Sequence, residues 1–549
     1  VHFEYSYAGN SAVRNQGDST ELSFAPDLKR QPTFFSGELR QNVAFREAIS
    51  ALHDVVVSDL RFKPKDKSAY KAWAAKRDET LDMDAVLANR TAVASRLKAL
   101  REELAALEQD SSRRMGAFYS ARRRYFDYLY ERNRDFWYVL DPVITVHPDE
   151  CFFECFSQDE SSYGRLGASY EVFQNVGEFA CGTTNIDYSS PLYDEFQKIR
   201  SYKRTRFEVD PSGFTTQTGT DAAYKEVKID LPDSWVRGFL QVNSAMALPT
   251  VRFTLHPMDV HNFLFVLKRH KEKKGPRSMR YKLAPGQPVK VVFEPWGTEV
   301  VCRRSVYEGE GTHDIRVWGR RRLGVLERLI PVAKRFTVHL LGTGLPSFYV
   351  ADLGDLSFTL GLSGWTANDW ATAGNFDLMA PRGQVDELTR RRVFDALKET
   401  WSAKPEALAS KLGLERGAVL GALSAWTQAG RAIWDLNKGV YRARELSREP
   451  LPMDKLRFSN EREERATRFL DAGAVSVTAR PSSVDGSLEL SGAVKEGAKV
   501  LRPTLRLDGD QRMVFGECTC NFFQQNQLFK GPCEHLLALR LQHSRVSRT

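Results

Sequence analysis

The sequence predicts a multidomain α+β protein of four segments. Three observations carry that expectation. At 549 residues the chain exceeds what one hydrophobic core holds, and with 42% apolar residues it can fill several. Its apolar pattern runs first at a helical period, then as short strands, then as helices again after residue 380. Three of its seven cysteines gather with a histidine near the end, behind a strand-turn-strand pattern. The expected segments are an N-terminal helical region (1–140), a central β-rich α+β domain (141–380), a helix-plus-hairpin domain (381–450) and a β-rich C-terminal domain (451–549).

The opening is polar and irregular to about Pro32. Asn42 to Asp59 then reads as a helix with Phe45, Ile49, Leu52 and Val56 on one face. From Asp84 to Gln109, Val86, Val93, Leu97, Leu100, Leu104 and Leu107 follow alternating four- and three-residue steps once Arg90 is counted, a coiled-coil-like seam. Residues 113–140, with Phe118, Phe126, Leu129 and Trp137, supply the second helix of an antiparallel hairpin arm.

After Leu140 the texture turns to strands, among them 143–146, 151–156, 205–209, 227–231, 250–255, 289–293, 336–341 and 356–360, separated by Gly, Pro and Asp turns. Two cationic stretches stand out. Lys268, Arg269, Lys271, Lys273, Lys274, Arg277, Arg280 and Lys282 face the single acid Glu272, a surface loop suited to phosphate or to an acidic partner. Trp318-Gly319 is followed by Arg320, Arg321 and Arg322, which can clamp phosphate, stack on a base, or pair with the domain's own carboxylates.

Val385–Thr400, Pro405–Leu412 and Arg416–Ala429 read as three helices, followed by strands at 431–436 and 440–444 around Asn437-Lys438-Gly439. Three helices and a two-stranded wing make a winged helix-turn-helix. Its third helix offers only Arg416, Gly417, Gly421, Ser424 and Gln428 to a groove, a poor set for reading bases. Protein docking and DNA contact stand level as uses of the module.

The densest chemistry lies in Cys518-Thr519-Cys520, twelve intervening residues, then Cys533-Glu534-His535. Residues two apart in a strand point the same way, so the first pair can place two thiolates on one ion, and Cys533 with His535 does so at a helix entrance. Three thiolates and one imidazole form a closed tetrahedral set for one structural Zn2+, with no position left for substrate. The hairpin and the C-x-C…C-x-H spacing resemble the SWIM zinc finger, which implies a strand-strand-helix fold for this end of the chain. Asn521 stands where many members of that family carry proline.

No Walker loop, serine elbow or H-E-x-x-H occurs, so a non-enzymatic role is expected. Asp149 with Glu154 is a faint metal-dependent nuclease pattern lacking its lysine, since Phe156 stands there. The net charge of +9 permits nucleic acid or an acidic protein as partner without choosing. Free cysteines and the lack of an apolar leader or of a run approaching ~18 apolar residues predict a soluble, cytoplasmic protein.

The phrases Trp318 to Leu323 and Leu362 to Thr366, set before a wing and a finger, give the whole chain a resemblance to long bacterial SWIM proteins. Those resemble non-enzymatic members of systems with a MoxR-type AAA+ ATPase and a von Willebrand factor A-domain (VWA) partner. The resemblance implies an adaptor or scaffold in phage defence or stress response, and direct DNA or RNA binding through wing, basic loop and finger is the alternative.

Overall fold

The computed structural model describes residues 12–16, 19–24, 33–58, 100, 102–104, 142–185, 196–197, 199–202, 204–209, 233–270, 277–365, 369–371, 374–381, 385–446, 461–481 and 487–546. The chain divides into two compact units, residues 1–59 with 139–549, and residues 60–138. The helical arm expected over 84–140 lies outside the described residues except for helical turns at Leu100 and 102–104. The strand expected at 227–231 lies outside them entirely.

In the larger unit, β1 (Ala12–Gln16) and β2 (Ser19–Phe24) form a hairpin. β2 runs parallel to β9 (Arg204–Val209), which continues through β3 (Phe35–Leu39) to β7 (Phe173–Gln174) in a five-stranded sheet. Helix α1 (Asn42–Val56) follows, with Phe45, Ile49, Leu52 and Val56 all buried. This is the expected apolar face, and it packs into the central core.

That core is organised by an eight-stranded antiparallel sheet. Its order is β10 (Val251–Leu255), β15 (Arg335–Leu340), β16 (Ser347–Asp352), β17 (Leu356–Leu362), β6 (Ser162–Ser169), β5 (Glu150–Phe156), β4 (Val143–Val146) and β8 (Gly182–Asn185). β5 and β17 are buried along their whole length because the sheet is covered on both faces. Cys151, Phe153 and Cys155 of β5 share a core with α1, and Gly164 lets the helix approach: a Cβ there would sit 3.3 Å from Leu52 Cδ1. Phe156 faces the other way, 4.7 Å from Phe239 and 5.5 Å from Trp235 of α2 (Asp233–Met246). A four-stranded antiparallel sheet, β13 (Thr298–Val306), β12 (Pro288–Phe293), β11 (Met279–Leu283) and β14 (His313–Val317), shares the α1 core with α3 (Pro257–Arg269).

The next elements fall within a residue or two of their expected places: α4 (Glu387–Thr400), α5 (Pro405–Leu412) and α6 (Arg416–Gln428), then β19 (Ala432–Asp435) and β20 (Val440–Ala443). A short β18 (Ser402–Ala403) adds to β20 to make three antiparallel strands. The C-terminal part holds α7 (Glu461–Asp471) and a five-stranded sheet of β21 (Val475–Pro481), β22 (Leu488–Glu496), β23 (Lys499–Leu501), β24 (Thr504–Leu507) and β25 (Met513–Glu517). Two helices, α8 (Asn521–Asn526) and α9 (Glu534–Val546), complete it.

These parts are joined by buried charge. β5 presents Glu150 and Glu154 on the face that meets Arg442 of β20 and Arg444 just beyond its end, which are spaced to receive them. Arg442 lies 2.8 Å from both Asp149 and Asp435, and Arg444 lies 3.2 Å from Glu154. Arg165 bridges Glu150 at 2.5 Å and Asp435 at 3.3 Å, and the Tyr163 hydroxyl donates to Glu154 at 2.8 Å. Each buried charge here has an opposite one, the condition under which burial is tolerated. Asp149 and Glu154, the faint nuclease pair, are therefore occupied by arginines and by Lys438, 2.9 Å from Asp149.

Candidate metal centre and binding surfaces

The β24–β25 hairpin ends at Glu517, and Cys518 follows immediately. Cys520 does not continue the strand as the two-residue periodicity predicts. It is the N-cap of α8, its Sγ accepting a hydrogen bond from the Phe523 amide at 3.3 Å. Asn521 thus occupies the first helical position, where proline is favoured because no amide donor is needed there, which explains the usual residue of the finger pattern. Cys533 accepts the first helical hydrogen bond of α9, from Leu537 at 3.2 Å, so His535 sits in that helix's first turn. Two of the thiols, Cys520 and Cys533, therefore lie at helix N-termini.

One donor atom each from Cys518, Cys520, Cys533 and His535 lies within 4.8 Å of the others. Tetrahedral Zn–S bonds of ~2.3 Å place sulfurs roughly 3.8 Å apart, so the set needs little adjustment to close on an ion. The donor chemistry fits as well. Among the described residues, both buried His535 ring nitrogens have no hydrogen-bond partner, a costly state that a bound metal relieves. Hydrogen bonds from Cys518 and then Cys533 pull the Cys520 thiol far below its usual range, while hydrogen bonds to Cys518 and Cys520 hold the Cys533 thiol well above it. The ring is stacked on Phe469 at 5.4 Å, and its Nε2 lies 3.5 Å from Glu496, which Arg465 steadies at 3.2 Å. A carboxylate beside a ligating imidazole is the usual outer support of a metal site. The cluster fits one structural zinc ion.

The loop between the ligand pairs is fastened to the rest of the unit. Arg462 donates to the carbonyls of Lys530 and Pro532, at 3.0 and 2.9 Å. Phe529 stacks on Trp365 at 5.5 Å and lies 6.2 Å from Trp318. From α9, Arg540 donates to the carbonyls of Leu378, Ala380 and Gln511 at 2.7–2.9 Å. Cys518, Cys520 and Cys533 belong to the same apolar cluster as Phe156, Phe239 and Trp370. Sequence reading found the ligands and missed these arginine anchors, whose carbonyl partners are invisible in a one-dimensional pattern.

The cationic stretches fare differently. Arg320 is buried, donating to the carbonyls of Ser278 and Glu294 with its guanidinium 4.8 Å over Trp296. Arg322 is buried 3.4 Å from Asp159. These two hold the central domain's interior and do not face a phosphate, which leaves Arg321 as the exposed member. The 268–282 stretch is not one surface loop. Lys268 and Arg269 end α3, Arg280 and Lys282 lie on β11, and Lys271, Lys273 and Lys274 lie outside the described residues. Lys268 pairs with Glu327 at 2.6 Å, Arg280 with Asp314 at 2.9 Å and Lys282 with Glu299 at 3.6 Å. Arg277 is exposed, and Arg269 lies 5.0 Å over the exposed ring of Phe265.

The third helix of the helix-plus-hairpin module is enclosed. In α6, Val419 through Ser424 are all buried, Gln428 is half-buried, and Arg416 is held by Asp510 at 2.9 Å and Glu406 at 3.1 Å. The face expected to offer Gly421 and Ser424 to a groove is covered by protein.

Residues 504–541 match the SWIM zinc finger family. No curated protein matches the chain. Among solved structures, it is similar to the proliferating cellular nuclear antigen of Entamoeba histolytica, with 8% identity and a TM-score of 0.34 over 60% of this chain and 98% of that one. It is also similar to A. fulgidus PCNA, from a structure with the C-terminal region of FEN-1 bound. That likeness has 11% identity and a TM-score of 0.29 over 42% of this chain and 90% of that one. Both likenesses are too loose to bear on function. No helix among the described residues is long and apolar enough to cross a membrane.

Proposed function

We propose that the chain is a non-enzymatic, zinc-stabilised adaptor that recognises a protein partner, working as a subunit or substrate adaptor beside a MoxR-type AAA+ ATPase and a VWA-domain protein in phage defence or stress response. The enclosure of α6 carries the choice of protein over DNA. A module whose third helix is packed against its own chain has no reading helix to insert in a groove. What it leaves exposed are outer positions of α4 and α5, with Leu388 69% exposed, surfaces suited to docking. The zinc supplies folding energy for the C-terminal part of that platform.

A tagged full-length chain should retain one zinc and capture the ATPase when the two are purified together. Cys520→Ala should lose the zinc, protease resistance of the finger, and the capture. A variant that keeps zinc and resistance, or a wild-type chain that never associates with the ATPase, ends the reading. Direct nucleic-acid binding is the second reading, supported by the exposed Arg269–Phe265 pair beside the basic run. It requires affinity that falls steeply with salt, and absence of binding at low salt removes it.

A further inference from the structure

Where the wing, the finger hairpin and the end of α2 meet, a cavity of about 250 Å³ opens to solvent. One wall is the cross-strand pair Trp434 and Tyr441, their rings 4.8 Å apart at 62°. Tyr441 is only 4% exposed, and its hydroxyl makes no hydrogen bond to any described residue, although a buried phenol ordinarily finds one. It lines the cavity, so a ligand there is its available partner.

Opposite stands the N-terminus of α5. Its N-cap, Lys404, makes no capping bond through its side chain, and Pro405 has no amide proton. The first free donors of the helix are thus the amides of Glu406, which lines the cavity, and of Ala407 behind it. The arginines at the opening are paired: Arg416 with Asp510 at 2.9 Å and Glu406 at 3.1 Å, and Arg512 with Asp508 at 2.7 Å and Asp510 at 3.1 Å. Lys404 is left with no ion pair among the described residues.

We propose that this cavity binds a 5′-phosphorylated nucleotide. Its base rests against Trp434 and offers a polar edge to the Tyr441 hydroxyl, and its phosphate meets Lys404 and the α5 amides. An aromatic wall gives stacking, and an uncapped helix end with a spare ammonium gives anion recognition. A free nucleoside monophosphate and the 5′ end of a phosphorylated strand share this chemistry.

The test is calorimetric titration of the zinc-loaded full chain with adenosine 5′-monophosphate, adenosine, and a short oligonucleotide with and without its 5′-phosphate. Saturable binding of the monophosphate with much weaker binding of adenosine is expected. Tyr441→Phe, which keeps the ring and the packing, and Lys404→Ala, on the surface, should each weaken binding roughly ten-fold or more. Zinc content and near-ultraviolet circular dichroism verify that both variants are folded. Binding of the phosphorylated oligonucleotide as tight as the monophosphate identifies a strand end, and its failure identifies the free nucleotide. No saturable binding at millimolar monophosphate, equal affinity for adenosine, or unchanged affinity in both variants overturns the proposal.

Discussion

Mild acid should loosen the wing from the central sheet. His147 is fully buried, with Nε2 2.6 Å from the Ala443 carbonyl and Nδ1 3.3 Å from Arg442 Nη1. The neutral ring satisfies both contacts, Nε2 donating and Nδ1 accepting. A second proton would set an N–H against a guanidinium. Burial first, then the charge of Arg442, push His147 down to about 4, against weaker upward pulls from the Ala443 carbonyl, Glu150 and Asp149. The opened state takes up its proton near 6.5 and the closed state only near 4. Between those values the opened state holds more protons, so closure weakens as pH falls. The contribution is complete above about 6.5.

From pH 7.5 to 5.5 the loss is about 1.4 kcal/mol, roughly ten-fold in the opening equilibrium. Asp435 does not enter this window: burial alone would raise it, but Arg165 and Arg442 overrule burial and hold it at about 2. Hydrogen exchange at the β20 amides, corrected for intrinsic rates, reads the equilibrium directly. Ten-fold more opening in β20 is expected, and His147→Gln should abolish the dependence there. Equal opening at the two pH values, or the same slope in the variant, refutes the reasoning.

Other outcomes follow from the way the finger is seated. Arg540→Ala strands three carbonyls that now receive its guanidinium, and at about 1–3 kcal/mol for each such loss it should free the finger from residues 378–380 while zinc content stays at one. Limited proteolysis beside a zinc assay separates the two effects. Gly492→Ala places a Cβ 2.0 Å from the Ser476 carbonyl oxygen and 2.7 Å from Leu539, so β21 or α9 must shift, at a cost of about 1–3 kcal/mol or more, read as a lower melting temperature. Gly417→Ala, with open space around its Cβ in α6, should raise the melting temperature by the equivalent of ~0.5–1 kcal/mol.

Legibility in this chain tracks the sequence distance over which a feature is decided. The zinc ligands lie within eighteen positions, and the turn, strand and helix starts that orient them lie between or beside them, so the pattern reveals the site almost whole. The α4–β20 elements were likewise set by local caps and periodicity: Asp386 capping α4, Gly413 closing α5 in the left-handed region, Gly439 turning the wing. The use of those elements was not local. Arg442 and Asp149 are 293 positions apart, and nothing within either segment marks them as partners. An arginine run reads the same whether its guanidinium meets water or two carbonyls, as Arg320 does. Alternation along β5 likewise does not say that its acids will meet β20. The helix that a sequence pattern offers to a DNA groove became an interior helix for the same reason. Its residues Val419 to Ser424 are buried on successive sides of the helix, which packs on α4, α5 and β19 of its own module and on α2. A poor complement of base-reading side chains on that helix was the one local trace of this burial, since a surface that packs against protein has no use for them.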